Sequence, residues 1–271
     1  MAAEIPDTNT LPVRCGVLIV GSLFWNEDEI GIRAAWRDKR LDLAGVMEVD
    51  APLRYGRRSK GWGDTFTMIL DPASPDGRAL LAPCKADFQS FADLLDEVWW
   101  LWSAEHNKLL ADRFHKSWGC VAALFGPRAT AAGFPEQWKR HFQAAKPPLP
   151  CAVDEEGLLG VPWPRTLDGE IVTSVDIILA TATMARPKNE RPSPRDVARA
   201  WIDQKGGHER YFVENVRHGI RTAADAEIWS EIEEAQPEWL QSEGYADVAD
   251  KLRQEANRSC LDWNLEAKAS P

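Results

Sequence analysis

The chain has 271 residues, of which 44% are hydrophobic and 27% charged, as in globular proteins and unlike disordered or fibrous chains. Its 42 acidic and 32 basic residues give a formal charge of -10, which disfavours nucleic acid and anionic membranes as partners. The length predicts one large domain, or a domain with an appendage, that can bury a core without disulfide bonds.

The spacing of the cysteines and histidines argues against a metal site. The five cysteines lie far apart without a C-x-x-C pair, and the five histidines form no H-x-x-x-H pair. Residues 1–12 have no basic or apolar leader pattern and are predicted to form a flexible tail. No segment reaches the ~20 apolar residues of a membrane span. The sequence therefore predicts a cytoplasmic protein that uses no membrane.

Short strands separated by turns are predicted after this tail. Arg14 to Val20 is an apolar run that ends abruptly at Gly21-Ser22, the pattern of a buried strand. Residues 27–40 are charged and weakly helical. Further strands are predicted at 43–49, 51–55, 65–70 and 78–82. Because no long helix separates these strands, an antiparallel or mixed sheet, closed into a small barrel, is favoured over a doubly wound parallel sheet.

A long amphipathic helix is predicted from Asp87 to about His115. Its apolar residues form one stripe with three- and four-residue spacing: Phe88, Phe91, Leu94, Leu95, Val98, Leu101 and Trp102. At ~100° per residue, Glu105 lies near the centre of this stripe and Glu97 lies ~100° to one side. The pattern predicts that the Glu105 carboxylate points into the core and that Glu97 is solvated. Glu105 is also explained as a helix-end carboxylate that reaches back to solvent or pairs with an arginine.

The remainder of the chain changes from strands to helices. Strands are predicted at 119–125 and 171–184, with a helix at 134–144 between them. Beyond residue 186, helices are predicted from Ser193 to Gln204, from His208 to His218, and from Thr222 with Asp225 as its capping acid. The overall prediction is an α+β fold: a sheet domain at 13–186 and a helical C-terminal extension at 187–271, either an appendage or a cover on the sheet.

The stretch from Gly16 to Asn26, GVLIVGSLFWN, carries the most specific signal. A Gly-Ser-Leu turn after a buried strand exposes backbone N–H groups that can hold a carboxylate or an oxyanion. Glycine suits this position because a ligand must approach the backbone closely. Taken alone, the turn is also explained as a simple connection between a strand and a loop.

This stretch resembles the Y-G-S-L-x-W motif that opens the γ-glutamylcyclotransferases, especially the glutathione-acting group, with Val20 to Trp25 in register. Val20 replaces the tyrosine of the motif. The segments 50–56, 65–70 and 79–83 also look like strands of that family, and Glu209 to Phe212 looks like its late Y-L segment. The resemblance covers roughly residues 13–125.

The resemblance implies a small mixed β-barrel with flanking helices, which cyclises a γ-glutamyl amine or peptide to 5-oxoproline without a metal or organic cofactor. One glutamate of raised pKa acts as general acid and base in a partly apolar cleft. The family register points to Glu97, whereas the helix geometry favours Glu105. The residues implied in substrate binding are Val20, Gly21, Ser22, Leu23, Trp25 and Tyr211.

A basic cluster after the second predicted strand offers a site for an anionic substrate group. It contains Arg54, Arg57, Arg58 and Lys60, with Tyr55 and Trp62 beside them. We take Arg54 as the substrate-binding member. The same cluster is also explained as a solvated loop.

Two other functions stay open at this point. The barrel could be catalytically inactive, as the loss of the motif tyrosine at Val20 would allow, and serve as a ligand-binding or protein-interaction module. Alternatively, the same site could hydrolyse or transfer another amide. The sequence leaves open the leaving group and whether the chain forms a homo-oligomer.

Overall fold

The computed structural model describes residues 12–27, 31–110, 113–188, 190–203, 210–238 and 245–253. Its centre is a seven-stranded mixed sheet with the strand order β3-β2-β4-β1-β7-β6-β5. In chain order the strands are β1 Cys15–Ile19, β2 Met47–Ser59, β3 Thr65–Leu70, β4 Asp76–Pro83, β5 His115–Lys116, β6 Gly119–Phe125 and β7 Ile177–Thr183.

The sheet is antiparallel except at its centre, where β1 and β7 run parallel. Val17 of β1 lies opposite Ala82 of β4 and Leu179 of β7. Every residue of β1 is buried, which explains why its sequence is uniformly apolar instead of alternating. The predicted α+β class and mixed sheet are confirmed.

The predicted closed barrel is not confirmed. The pairings between the described strands leave β3 and β5 as the two edges of the sheet. The sheet is nevertheless strongly curved. Edge strand β3 contacts β7, which lies four positions away in the strand order. The result is a curved, open sheet whose concave part is bounded by β3, β2, β4, β1 and β7.

The helices cover this sheet. They are α1 Ile32–Arg40, α2 Phe91–His106, α3 Pro127–Ala131, α4 Phe134–Ala145, α5 Pro194–Ile202, α6 Arg210–Arg217 and α7 Asp225–Ala235, and residues 246–253 are also helical. The side chain of Ser193 caps α5 in a reciprocal box with Asp196, as its sequence predicts. None of the described helices is long and apolar enough to cross a membrane.

Several predicted boundaries are wrong for identifiable reasons. Residues 43–45 of the predicted strand at 43–49 form a 3-10 turn. Residues 47–49 and the predicted strand at 51–55 belong to the single strand β2, in which a bulge near Gly56 absorbs one extra residue. Strand β7 begins six residues later than predicted, at Ile177. The residue before it, Asp176, accepts a hydrogen bond from the backbone N–H of Arg14 with its side chain. Helix α7 begins at Asp225 instead of Thr222, and the hydroxyl of Thr222 donates a 2.5 Å hydrogen bond to the Asp225 carboxylate. Gln204 and His208 lie outside the described residues.

The C-terminal helices form a cover on the sheet. Arg78 of β4 and Arg221 exchange two backbone hydrogen bonds of 2.7 and 2.9 Å, so the chain after α6 pairs with the sheet. Phe212 of α6 packs against Trp201 of α5 and Trp229 of α7. This cover brings α6 to the concave side of the sheet, beside the turn that follows β1.

Candidate functional site

A cavity of about 440 Å³ lies where β1 ends. The turn after β1, the end of α2, the middle of β3 and helix α6 all contribute to its wall. The lining residues are Val20, Ser22, Leu23, Asn26, Arg33, Arg57, Ser59, Gly61, Trp62, Thr67, Met68, Ile69, Glu105, Trp118, Thr181, Thr183 and Tyr211. One cavity therefore joins the Gly-Ser-Leu segment to a carboxylate of the long helix.

The Gly-Ser-Leu segment forms a single 3-10 turn. Gly21 adopts a φ of 76°, a conformation that favours glycine. A Cβ at this position would lie 2.4 Å from the hydroxyl oxygen of Tyr211. Val20, Ser22 and Leu23 line the cavity, and the side chain of Val20 makes no cap bond to the turn. Glycine is thus needed both for the turn and for the close approach of α6.

Replacing Gly21 with Ala is expected to lower the free energy of unfolding by about 2 kcal/mol, because the alanine meets both backbone strain and the Tyr211 hydroxyl. Gly133 is a matched control, since it has a φ of 75° and a Cβ added there would point into open space among the described residues. Gly133→Ala should cost only about 1 kcal/mol. Chemical denaturation checks both values, and equal losses in the two variants would contradict the close approach.

Glu105 lies in the last turn of α2, is half-buried and faces the cavity instead of the apolar core. Its Oε2 accepts a hydrogen bond of 3.4 Å from Thr181 of β7. Arg33 of α1 holds the end of the helix through a 3.0 Å bond from Nε to the backbone oxygen of Ala104. The carboxylate is therefore positioned by two neighbouring elements while one side stays open to a ligand.

Glu97 is the buried acid, and the prediction that it is solvated is wrong. Its side chain is 1% exposed and accepts 2.9 Å hydrogen bonds from Trp36 Nε1 and Arg40 Nε. Burial raises the pKa of Glu97, and these two bonds partly counteract the rise. Helix α1 packs on the face of α2 that contains Glu97, which the sequence pattern predicts to be exposed to solvent. Glu97 does not line the cavity.

The basic cluster contributes Arg57 to the cavity and directs Arg54 elsewhere. Arg54 pairs with the buried carboxylate of Asp71, outside the cavity lining. The guanidinium of Arg57 lies over the ring of Trp118, 4.5 Å from its centroid. Burial lowers the pKa of Arg57, and the nearby Glu105 carboxylate opposes that shift. Arg57 therefore supplies a positive charge opposite the acid.

Tyr211 lines the cavity, whereas Trp25 does not line it and packs against residues that do. Tyr211 is 3% exposed, and its oxygen accepts a 3.0 Å hydrogen bond from the backbone N–H of Met68. The indole N–H of Trp25 donates to Asn215 of α6, and its ring packs against Tyr211 and Trp62. Trp25 is thus a supporting residue. Glu209 lies outside the described residues.

Sequence reasoning missed the residues that reach the cavity from distant elements. Thr181 and Thr183 come from β7, and Trp118 comes from the turn before β6. No local pattern could identify them, because the pairing of β7 with β1 on one side and with β6 on the other brings them near the turn. Arg57 could be identified as a candidate because it belongs to the basic cluster, but the sequence does not distinguish it from the other basic residues of that cluster.

The described residues contain no group of three His, Cys, Asp or Glu side chains that could hold a metal ion. The polar groups that face the cavity are a carboxylate, guanidinium groups and hydroxyls, which suit a small polar ligand carrying a carboxylate and an amine. Comparison with known proteins finds no matching protein-family model, no similar curated protein and no similar solved structure.

Proposed function

We propose that the chain is an enzyme of the γ-glutamylcyclotransferase type, which cyclises a small γ-glutamyl amine or peptide to 5-oxoproline and releases the amine. The observation that carries this proposal is the single cavity shared by Glu105, Arg57 and the Gly-Ser-Leu turn. In this proposal the curled strands β3-β2-β4-β1-β7 are an open form of the family's barrel, and the reaction takes place in the cytoplasm.

In the proposed reaction, Arg57 and the backbone of the turn bind the α-carboxylate of the γ-glutamyl group. Glu105 takes a proton from the α-ammonium group, and the free amine attacks the carbonyl carbon of its own side-chain amide. A C–N bond forms to close the ring. Glu105 then gives its proton to the leaving nitrogen as the bond to that nitrogen breaks, and the ring nitrogen loses its second proton to water, which yields 5-oxoproline and the amine.

Glu105 fits the role of base better than Glu97 because it is accessible from the cavity. A general base must come within hydrogen-bond reach of the proton that it removes. Glu105 lines the cavity, where its carboxylate accepts a hydrogen bond from Thr181. Glu97 is almost completely buried between Trp36 and Arg40, so it has no access to a substrate in the cavity.

A mass-spectrometric screen of γ-glutamyl amines and dipeptides tests the proposal. Purified protein should release 5-oxoproline and the free amine from at least one compound, in equal amounts. Release of glutamate instead would favour hydrolysis. Absence of turnover, together with a melting temperature that rises when 5-oxoproline is added, would contradict the enzyme and favour a ligand-binding module.

Arg57→Met is expected to raise KM for the γ-glutamyl compound roughly 10- to 100-fold, because a charge-assisted hydrogen bond to the carboxylate is lost. Arg58→Met is the matched control. Arg58 stacks on Phe66 outside the cavity, and its removal should leave KM nearly unchanged. Steady-state kinetics on both variants checks this, and an unchanged KM for Arg57→Met would show that the arginine does not bind substrate.

A further inference from the structure

The hydroxyl group of Tyr211 accepts one hydrogen bond from the backbone. The backbone N–H of Met68 donates to the phenolic oxygen at 3.0 Å. Among the described residues, no group accepts a hydrogen bond from the hydroxyl itself. A phenolic oxygen has two acceptor positions and one proton, so each donor that approaches it restricts the direction in which that proton can point.

Asn215 of α6 is a neighbouring polar side chain that affects the pKa of Tyr211. Its Oδ1 accepts a 2.8 Å bond from the indole N–H of Trp25. Because an indole nitrogen only donates, the amide oxygen must face Trp25, and the Nδ2 group must point away from it. Asn215 is fully buried, and its Nδ2 has no hydrogen-bond partner among the described residues, so it supplies no acceptor for the Tyr211 proton.

Tyr211 lines the cavity, where a ligand can supply an acceptor for its proton. Burial raises the pKa of Tyr211, so the hydroxyl stays protonated at neutral pH. The hydroxyl also lies directly over Gly21, at the turn proposed to contact the substrate. Glu105 faces the same space. A ligand oxygen bound between the Gly-Ser-Leu turn and Glu105 could therefore accept a hydrogen bond from the Tyr211 hydroxyl, whose proton has no acceptor among the described residues.

We propose that Tyr211 donates a hydrogen bond to the oxygen of the scissile amide and stabilises the oxyanion that forms during ring closure. This inference rests on the proposed function. When the amine attacks, the π electrons of the carbonyl move onto its oxygen, which becomes the oxyanion. When the carbonyl re-forms, those electrons return and the bond to the leaving nitrogen breaks. Tyr211 keeps its proton throughout, because it acts as a donor and not as an acid.

The test compares Tyr211→Phe with wild-type protein, using the γ-glutamyl compound that wild type converts fastest. Loss of one oxyanion donor should lower kcat about 100-fold and change KM less than about threefold, since the bond strengthens in the transition state. Tyr55→Phe is the matched control. Tyr55 is also 3% exposed but does not line this cavity, so its kcat should match wild type. A kcat for Tyr211→Phe close to that of wild type overturns the inference.

A second measurement covers the case in which Tyr211→Phe fails to fold because Met68 N–H loses its acceptor. The chain has three tyrosines, Tyr55, Tyr211 and Tyr245, so 3-fluorotyrosine labelling gives three assignable ¹⁹F signals. Saturation with 5-oxoproline should shift the Tyr211 signal, and an unshifted signal overturns the inference. If the wild-type protein is active and Tyr211→Phe has the same kcat, only the role of Tyr211 is refuted. If the wild-type protein shows no turnover, the proposed function is refuted as well.

Discussion

Glu105→Gln is expected to lower kcat for release of 5-oxoproline by at least about 100-fold while leaving the fold intact. Glutamine has nearly the same shape and can still accept the hydrogen bond from Thr181, but it cannot take a proton from the substrate amine. General acid–base catalysis contributes typically about 10²- to 10⁴-fold, which sets the size of the loss. Initial rates and circular dichroism on the purified variant measure activity and fold separately.

Glu136→Gln provides the control for this experiment. Glu136 lies in the first turn of α4, is exposed and does not line the cavity, so the same chemical change there should leave kcat unaltered. A Glu105→Gln variant with wild-type activity would exclude this residue as the base.

Glu97→Leu is expected to reduce the free energy of unfolding by about 3 kcal/mol, because removal of one partner leaves buried polar groups without a bond. The indole N–H of Trp36, whose side chain is completely buried, loses its acceptor. The guanidinium of Arg40 loses one of its two carboxylates and keeps Asp96. Urea denaturation with a shared m-value measures the loss.

Asp96→Asn is the matched control, because Asp96 binds the same Arg40 from an exposed position with 50% of its side chain accessible. Loss of this exposed pair should cost less than about 1 kcal/mol. Comparable losses for Glu97→Leu and Asp96→Asn would contradict the structural role given to Glu97. Wild-type turnover in a folded Glu97 variant would further separate this stabilising acid from the proposed base.

The central strand and the long helix could be predicted because their signals are local. The apolar run before Gly21 is enough to predict β1, since a strand buried on both faces needs no alternation. The periodic stripe likewise predicts α2, although the Glu105 side chain faces the cavity and not the core. These patterns depend only on neighbouring residues and on regular backbone geometry.

The environment of Glu97 and the identity of the binding arginine could not be predicted in this way. The burial of Glu97 requires α1 to pack across α2 and bring Trp36 and Arg40 to it, a contact between residues 61 and 57 positions apart. Arg54 and Arg57 look equivalent in sequence, but Asp71 pairs with the first and Trp118 stacks with the second. Tertiary contacts alone distinguish them.

A crystal structure of Glu105→Gln with a bound γ-glutamyl compound tests the central claim most directly. The variant should retain the substrate without converting it. Electron density is expected in the cavity at the end of β1, with the α-carboxylate against Arg57 and the α-amine beside residue 105. Density at another surface, or a cavity that stays empty at saturating ligand while the compound is bound in solution, would contradict the account.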